Sequence, residues 1–264
     1  MRGVLSVASA NVTACASVAA TAVAVGRFCG GCAVCRTDDP RDKRLRPSVL
    51  LEWDGRKVLI DTGTDLRAQA LAFEIERLDA VLYTHAHADH VFGLDELRLF
   101  NWRMGGAMPV YGSPITLAAI RRTFWYVFED VEAGGGKPLL EMHAVEGPFE
   151  LLGRTIVPVP VEHGRLPVTG WRIGRFAYLT DVSAIPDSSY PLLAGLDVLV
   201  LSALRHRPHP THLHLSRALD EAARIGAART LFTHIAHEIA HAAVEPTLPA
   251  GVELAYDGLT VEVP

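Results

Sequence analysis

Seven consecutive residues, Thr84-His85-Ala86-His87-Ala88-Asp89-His90, place three imidazoles and a carboxylate directly after the apolar run 80–83. That run reads as a short buried strand, and the loops at strand ends are where side chains from distant parts of a chain converge. On extended backbone His85 and His87 point to the same side, while Asp89 and His90, at the following turn, reach a second point nearby. A pair of imidazoles suits one borderline metal ion, and a carboxylate with a further imidazole suits another. Packing gives no reason for such a cluster at a strand end, because imidazole and carboxylate are poor core formers. The chain must therefore fold so that several strand ends gather at one edge.

Composition agrees with metal chemistry in a compact chain. Twelve His stand against four Cys and four Met in 264 residues, and imidazole is the commonest transition-metal ligand. Hydrophobic residues make up 49% and charged residues 21%, which excludes a disordered tail protein. The net charge of −5 argues against bulk attraction to nucleic acid or an anionic membrane. No apolar run reaches the ~18 residues that span a bilayer. Residues 1–26 are interrupted by Ser6, Ser9, Asn11, Thr13, Ser17 and Thr21, so they read as opening strands or a leader rather than a secretion signal. A cytoplasmic protein is expected.

Along the chain, strand 48–52, the turn dipeptide Asp54-Gly55 and strand 57–60 form a hairpin. Helical spacing follows over 66–78 and 93–102, and Pro114 opens a further helix. The glycines of 133–137 mark a surface loop. Strands are expected at 149–161, 170–173, 176–179 and 196–201, then a helix over 216–225 with Ser216 as its N-cap, and a strand at 230–233. Residues 252–263 read as a closing hairpin around Asp257-Gly258. Strand pairs with interspersed helices, twice over and without a linker, predict an αββα sandwich of two mixed sheets with helices outside, one domain over 1–264.

Further ligands should come from other strand ends. His163, Asp181 and His234 each follow a buried run closely, and Asp181 is placed to bridge two ions. The spacing Cys29-x-x-Cys32-x-x-Cys35 is typical of metal ligation rather than of disulfides.

The ordered set of Thr84 to His90, then His163, Asp181 and His234, resembles the metallo-β-lactamase superfamily. The resemblance implies that His85, His87 and His163 hold one ion, that Asp89, His90 and His234 hold a second, and that Asp181 bridges. Asp rather than Cys at the bridging position is the phosphodiesterase pattern. The flanks are similar to the PhnP-type cyclic phosphodiesterases: His90-Val91-Phe92-Gly93-Leu94-Asp95-Glu96-Leu97-Arg98, Asp39-Pro40-Arg41-Asp42-Lys43-Arg44-Leu45-Arg46, and Thr233-His234-Ile235-Ala236-His237.

That likeness implies a small cyclic or nucleotide-like phosphodiester as substrate, of the phosphoribosyl 1,2-cyclic phosphate type. It also implies two divalent ions, Zn or Mn, and a structural Zn held by Cys29, Cys32, Cys35 and His237. Two ions about 3.5–4 Å apart acidify a shared water and grip the phosphoryl oxygens during in-line displacement. Asp89 counts among both the ligands and the catalytic residues, and His212 matches the family's proton donor to the leaving alkoxide, acting from outside the metal shell. His214 and His209 are its rivals. Relatives open with a Gly-Thr-Gly turn where this chain has Ala19-Ala20-Thr21-Ala22-Val23, which would narrow the approach to the site. A tRNA 3′-processing endonuclease and a thioester or lactone hydrolase are the alternatives within the fold. A homodimer is compatible with the sequence.

Overall fold

The computed structural model describes residues 31–129 and 136–263, together with the backbone of Ala10–Cys15. Fourteen strands form two sheets among the described residues. The first contains β1 (Ala10–Cys15), β2 (Ser48–Trp53), β3 (Arg56–Ile60), β4 (Ala80–Leu82), β5 (Met108–Gly112) and β6 (Leu140–Ala144). The second contains β7 (Phe149–Leu151), β8 (Arg154–His163), β9 (Leu166–Ile173), β10 (Phe176–Leu179), β11 (Val198–Ser202), β12 (Arg229–Thr233) and β13 (Val252–Leu254). The last strand, β14 (Leu259–Val263), returns to the first sheet and pairs with β1, giving the order β14-β1-β2-β3-β4-β5-β6 against β13-β12-β11-β10-β9-β8-β7.

Each sheet is antiparallel on one side and parallel on the other. β3 to β6 run parallel in the first sheet, and β10 to β13 in the second. The strand alternation sorts the apolar residues into layers. Val49, Leu51, Trp53, Val58 and Ile60 face Trp171, Phe176, Tyr178 and Val200 across the inter-sheet core. Their neighbours Leu50 and Leu59 face outward, under α2 (Leu66–Ala72), α4 (Leu97–Met104) and α5 (Pro114–Thr123). Leu179, Leu199 and Leu201 lie likewise under α7 (Leu215–Ile225). The expected αββα sandwich is the observed architecture, and no described helix is long and apolar enough to cross a membrane.

Several boundaries differ from the sequence reading. The helix expected over 66–78 stops at Ala72, where Phe73 caps it and Glu74 turns left-handed (φ 51°). Strand 149–161 is broken by Leu152-Gly153, both at positive φ, into the β7–β8 hairpin. The helix at 93–102 begins as the 3-10 turn Leu94–Glu96. His214, not Ser216, caps α7.

The closing hairpin is absent. Residues 252–263 cross from one sheet to the other, with Asp257-Gly258 in the connector. The Leu45 amide donates to Asp257 Oδ2 and the Phe73 ring lies against Gly258, so long-range contacts override the local turn signal. The glycine loop falls largely, and the segment 19–23 wholly, outside the described residues.

Candidate metal centre

Five segments meet at the edge where the parallel strands of both sheets end. Beyond β3 stands Asp61. Beyond β4 come Thr84 and His85, and then α3 (Ala88–Val91), which carries Asp89 and His90 in its first turn with His87 at its N-cap. His163 ends β8, Asp181 follows β10, and His234 follows β12. Asp61, Asp181 and His234 are non-glycine residues held left-handed, at φ 62°, 53° and 53°. Such conformations cost of order 1–3 kcal/mol each and persist where the surroundings over-determine them. Here the kink turns the chain sharply after a strand, so that the side chain enters the cluster.

Asp61 organises the first part of the site, and the sequence reading passed over it. Buried completely, its carboxylate accepts from the Thr84 amide (2.8 Å), from Thr84 Oγ1 (2.7 Å) and from His90 Nδ1 (2.7 Å). Because the Thr84 hydroxyl spends its one proton on Asp61, it can only accept from His85 Nδ1, 3.0 Å away. His163 Nδ1 donates to the Thr211 carbonyl at 2.6 Å. His85 and His163 therefore carry their proton on Nδ1 and turn the Nε2 lone pair inward, the tautomer in which imidazole binds metal, while His90 gives its Nδ1 proton to Asp61 and presents to Asp181 the Nε2 that a metal ion would take in place of a second proton. The signal that singled out His163, Asp181 and His234, a polar residue just after an apolar strand, applies equally to Asp61.

The turn that carries Asp61 lies hard against the histidine loop. Thr62 N donates to the His90 carbonyl and Gly93 N to the Thr62 carbonyl. A Cβ at Gly63 would stand 2.5 Å from the Asp89 carbonyl oxygen, and one at Gly93 2.2 Å from that of Gly63. Only glycine permits this approach of backbone to backbone.

Asp181 is the centre of the cluster. Oδ2 lies 2.9 Å from His90 Nε2, while Oδ1 lies 3.3 Å from His234 Nε2 and 3.5 Å from His212 Nδ1. Ligand atoms fall within 4.8 Å of one another in three groups: His85, His90 and Asp181; Asp89, His90 and His234; His163, Asp181 and His212. His87 stands exposed at the rim, its ring centroid 4.6 Å from that of His85 and 5.2 Å from that of His163.

Burial and the neighbouring His90 push the His85 pKa well below its ordinary value, so it is neutral. Burial would raise the Asp181 carboxyl, but His234 and His90 hold it well below the usual range. His85 Nε2 and His212 Nδ1 are buried nitrogens without a hydrogen-bond partner. Lone pairs buried beside ionised carboxylates are a poor packing solution and a fitting divalent-cation site.

His212 falls in one ligand group with His163 and Asp181. It is buried, stacked 5.1 Å from His234 and edge-on to His163. Burial, then His234, lowers it to about 3. Its rivals stand further out: His214 caps α7, and His209 accepts from the Thr211 amide at 3.3 Å.

A second cluster includes His237, three residues beyond His234. Cys32 Sγ is 3.4 Å from His237 Nδ1 and accepts from the Cys35 amide at 3.3 Å, and Cys32, Cys35 and His237 form one ligand group. Cys29 lies outside the described residues.

Residues 56–235 match the model of the β-lactamase superfamily domain. The chain belongs to the metallo-β-lactamase superfamily. A crystal structure of a diphosphatase from the PhnP family is similar at a TM-score of 0.87 and 44% identity, covering 96% of this chain and 97% of that one. An octanoyltransferase of Porphyromonas gingivalis is 39% identical over 233 residues, 86% of this chain but 47% of its own length, so this chain spans about half of that relative. A ribonuclease Z of Mycobacterium bovis is 29% identical over 186 residues, 63% of this chain and 66% of its own. The fold implies divalent ions at the His/Asp cluster.

Proposed function

We propose that this chain is a phosphodiesterase acting on a small cyclic or nucleotide-like phosphodiester, of the phosphoribosyl 1,2-cyclic phosphate type, with two divalent ions. The observation that carries the reading is Asp181, whose two carboxylate oxygens reach toward different histidines. The similar diphosphatase of the PhnP family also points to chemistry at phosphorus. His85, His87 and His163 would hold one ion, Asp89, His90 and His234 the other, and Asp181 both. When bound, such a pair supplies an acidified water and positive charge for the phosphoryl oxygens.

The chain's own residues do the rest. Asp61 and the Thr211 carbonyl fix the rings of His90 and His163. His212, neutral at pH 7, lies beside the cluster, where an arriving phosphate anion would raise its proton affinity and fit it to protonate the leaving alkoxide.

The test is a substrate panel with metal-stripped and Mn- or Zn-reloaded protein. Bis-p-nitrophenyl phosphate, 2′,3′-cyclic nucleotides, phosphoribosyl cyclic phosphate, a nucleoside diphosphate, pre-tRNA and an octanoyl thioester form the panel. Turnover of the small diesters is expected only after reloading. Full activity without metal, or turnover confined to pre-tRNA or to the thioester, would overturn the proposal. The thioester arm answers a second reading, acyl hydrolysis, which the octanoyltransferase relative favours.

For the second cluster the reading is a structural Zn on Cys29, Cys32, Cys35 and His237. Cys32→Ser should then lower Tm and remove one tightly held Zn per chain, with turnover per folded molecule largely kept, because a closed zinc site contributes folding energy rather than chemistry. Metal analysis and thermal melts check it. An unchanged Tm would remove the zinc assignment.

A further inference from the structure

Threonine stands directly before a candidate ligand at three strand ends: Thr84 before His85, Thr180 before Asp181 and Thr233 before His234. All three threonines are buried. Their hydroxyls serve differently. Thr84 Oγ1 spends its proton on Asp61 and accepts from the His85 ring. His234 Nδ1 is buried without a hydrogen-bond partner, so Thr233 makes no such bond to its neighbour. Thr180 Oγ1 donates to Asp181 Oδ2 at 2.8 Å.

Among the described residues, Thr180 is the one hydrogen-bonding partner of this carboxylate that belongs to no ligand group. The other side chains drawn up to it, His90, His234 and His212, are imidazoles whose nitrogens could themselves take metal. A carboxyl group turns easily about the bond that joins it to Cβ, a torsion with broad wells. A turned carboxylate still serves one ion, but to serve two it must stand at one rotation.

Thr180 supplies that constraint from outside the cluster. Branching at Cβ restricts its own side chain, and a hydrogen bond to an ionised acceptor is roughly twice as strong as one between neutral groups. Burial shields the bond from bulk solvent, since Thr180 and Asp181 are 0% and 2% exposed. The Tyr178 hydroxyl also lies beside Thr180. Burial, then Asp61, pushes the Tyr178 pKa well above its ordinary value, so the phenol stays neutral and competes weakly with the Asp181 anion for the one Thr180 proton.

We propose that Thr180 is a positioning residue for the metal centre: its hydroxyl sets the rotation of the Asp181 carboxylate, keeps the two oxygens turned toward different histidines, and so governs how tightly the weaker of two ions is held. The inference rests on the two-ion reading of Asp181 above. It does not depend on which phosphodiester is the substrate.

The test titrates the metal-loaded full chain with a graded series of chelator and counts the metal still bound at each step. The wild type should release two ions from the His/Asp cluster in turn. Thr180→Val keeps the branched shape without the donor, and should weaken the more readily lost ion about 10- to 100-fold, the range seen when a metal ligand loses its hydrogen-bond partner. The tighter ion should hold as in the wild type. Thr180→Ser, which keeps the hydroxyl, should restore the second affinity. Thr180→Ala removes the donor without crowding and repeats the measurement should the valine variant fail to fold. A merely structural role would lower Tm in all three variants and leave the ratio of the two affinities unchanged. That ratio unchanged in folded Thr180→Val or Thr180→Ala, or a serine variant as weak as these, would overturn the proposal while leaving the two-ion reading intact. A wild type that holds one ion at the cluster would overturn both.

Discussion

Asp181→Ala is expected to lower turnover by about three orders of magnitude and to reduce the catalytic metal content, a larger loss than any single His→Ala replacement in the cluster produces. Asp181 and His90 each stand in two of the three ligand groups, but only the carboxylate has two oxygens to offer, one facing His90 and the other His234 and His212. Losing it removes a ligand from both ions at once. Charge stabilisation of that kind is worth several kcal/mol, and each ~1.4 kcal/mol is tenfold in rate.

The variant would also leave His90, His234 and His212 facing one another with less negative charge between them, which weakens cation binding further. Asp181→Asn keeps the volume and separates the loss of charge from the loss of packing. The measurements are metal stoichiometry and kcat on bis-p-nitrophenyl phosphate. If Asp181→Ala and His163→Ala lose equally and each chain still holds one ion, the centre is mononuclear.

How far the sequence carried the argument depends on whether the signal was local. The Asp54-Gly55 hairpin was legible because a two-residue turn needs positive φ at both positions, and Asp54 (49°) and Gly55 (73°) have it. The same logic failed at Asp257-Gly258. An identical dipeptide between apolar runs is there pinned by Leu45 and Phe73, far off in sequence, and the two runs enter different sheets. The sandwich itself followed from strand and helix alternation, because two-sided burial of β3, β4, β10 and β11 leaves few other layer arrangements.

At the site, residue type and strand position pointed to His85, Asp89, His90, His163, Asp181 and His234, which the structure gathers into the ligand groups, and to His87, which stands in none of them, yet not to Asp61. Its role is to hold the Thr84 amide and hydroxyl and His90 Nδ1, and its place just after an apolar strand, the same signal as at Asp181, does not by itself tell such a role from that of the first residue of an ordinary turn. The left-handed backbone at Asp61, Asp181 and His234 was likewise hidden. Asp and His adopt it more readily than most residues, but that preference marks no particular position, and the close packing of the surrounding segments imposes it here. The packing of His212 against His163 and His234 was hidden for a similar reason. The loop 204–213 is tied down by tertiary bonds, from the Leu213 amide to the Val182 carbonyl and from the Leu204 amide to that of Leu213, which no short-range pattern announces.

His212→Ala puts that placement to the test. As the proton donor, His212 should be worth on the order of 10²–10⁴ in kcat for a diester with a poor, alkyl leaving group. With bis-p-nitrophenyl phosphate the departing p-nitrophenolate needs no proton, so the loss should be far smaller. A residue that only gripped the phosphate would penalise both substrates alike. The structure adds a third outcome, since His212 Nδ1 lies 3.5 Å from Asp181 Oδ1 and within the group of His163 and Asp181.

If His212 serves instead as a ligand, His212→Ala should lose metal, and both substrates should suffer together in proportion to that loss. Metal analysis alongside the two leaving groups therefore separates acid, phosphate clamp and ligand. Retained metal with a steep dependence on the leaving group is the expected result. The burial that lowers the His212 pKa also predicts that the proton is acquired only once the phosphate anion is bound, so the alkaline limb of kcat, where the acid loses its proton, should lie at higher pH than that of kcat/KM. Coincident limbs in the wild type would mean that substrate charge does not reach His212, and the role of acid would pass to His209 or His214.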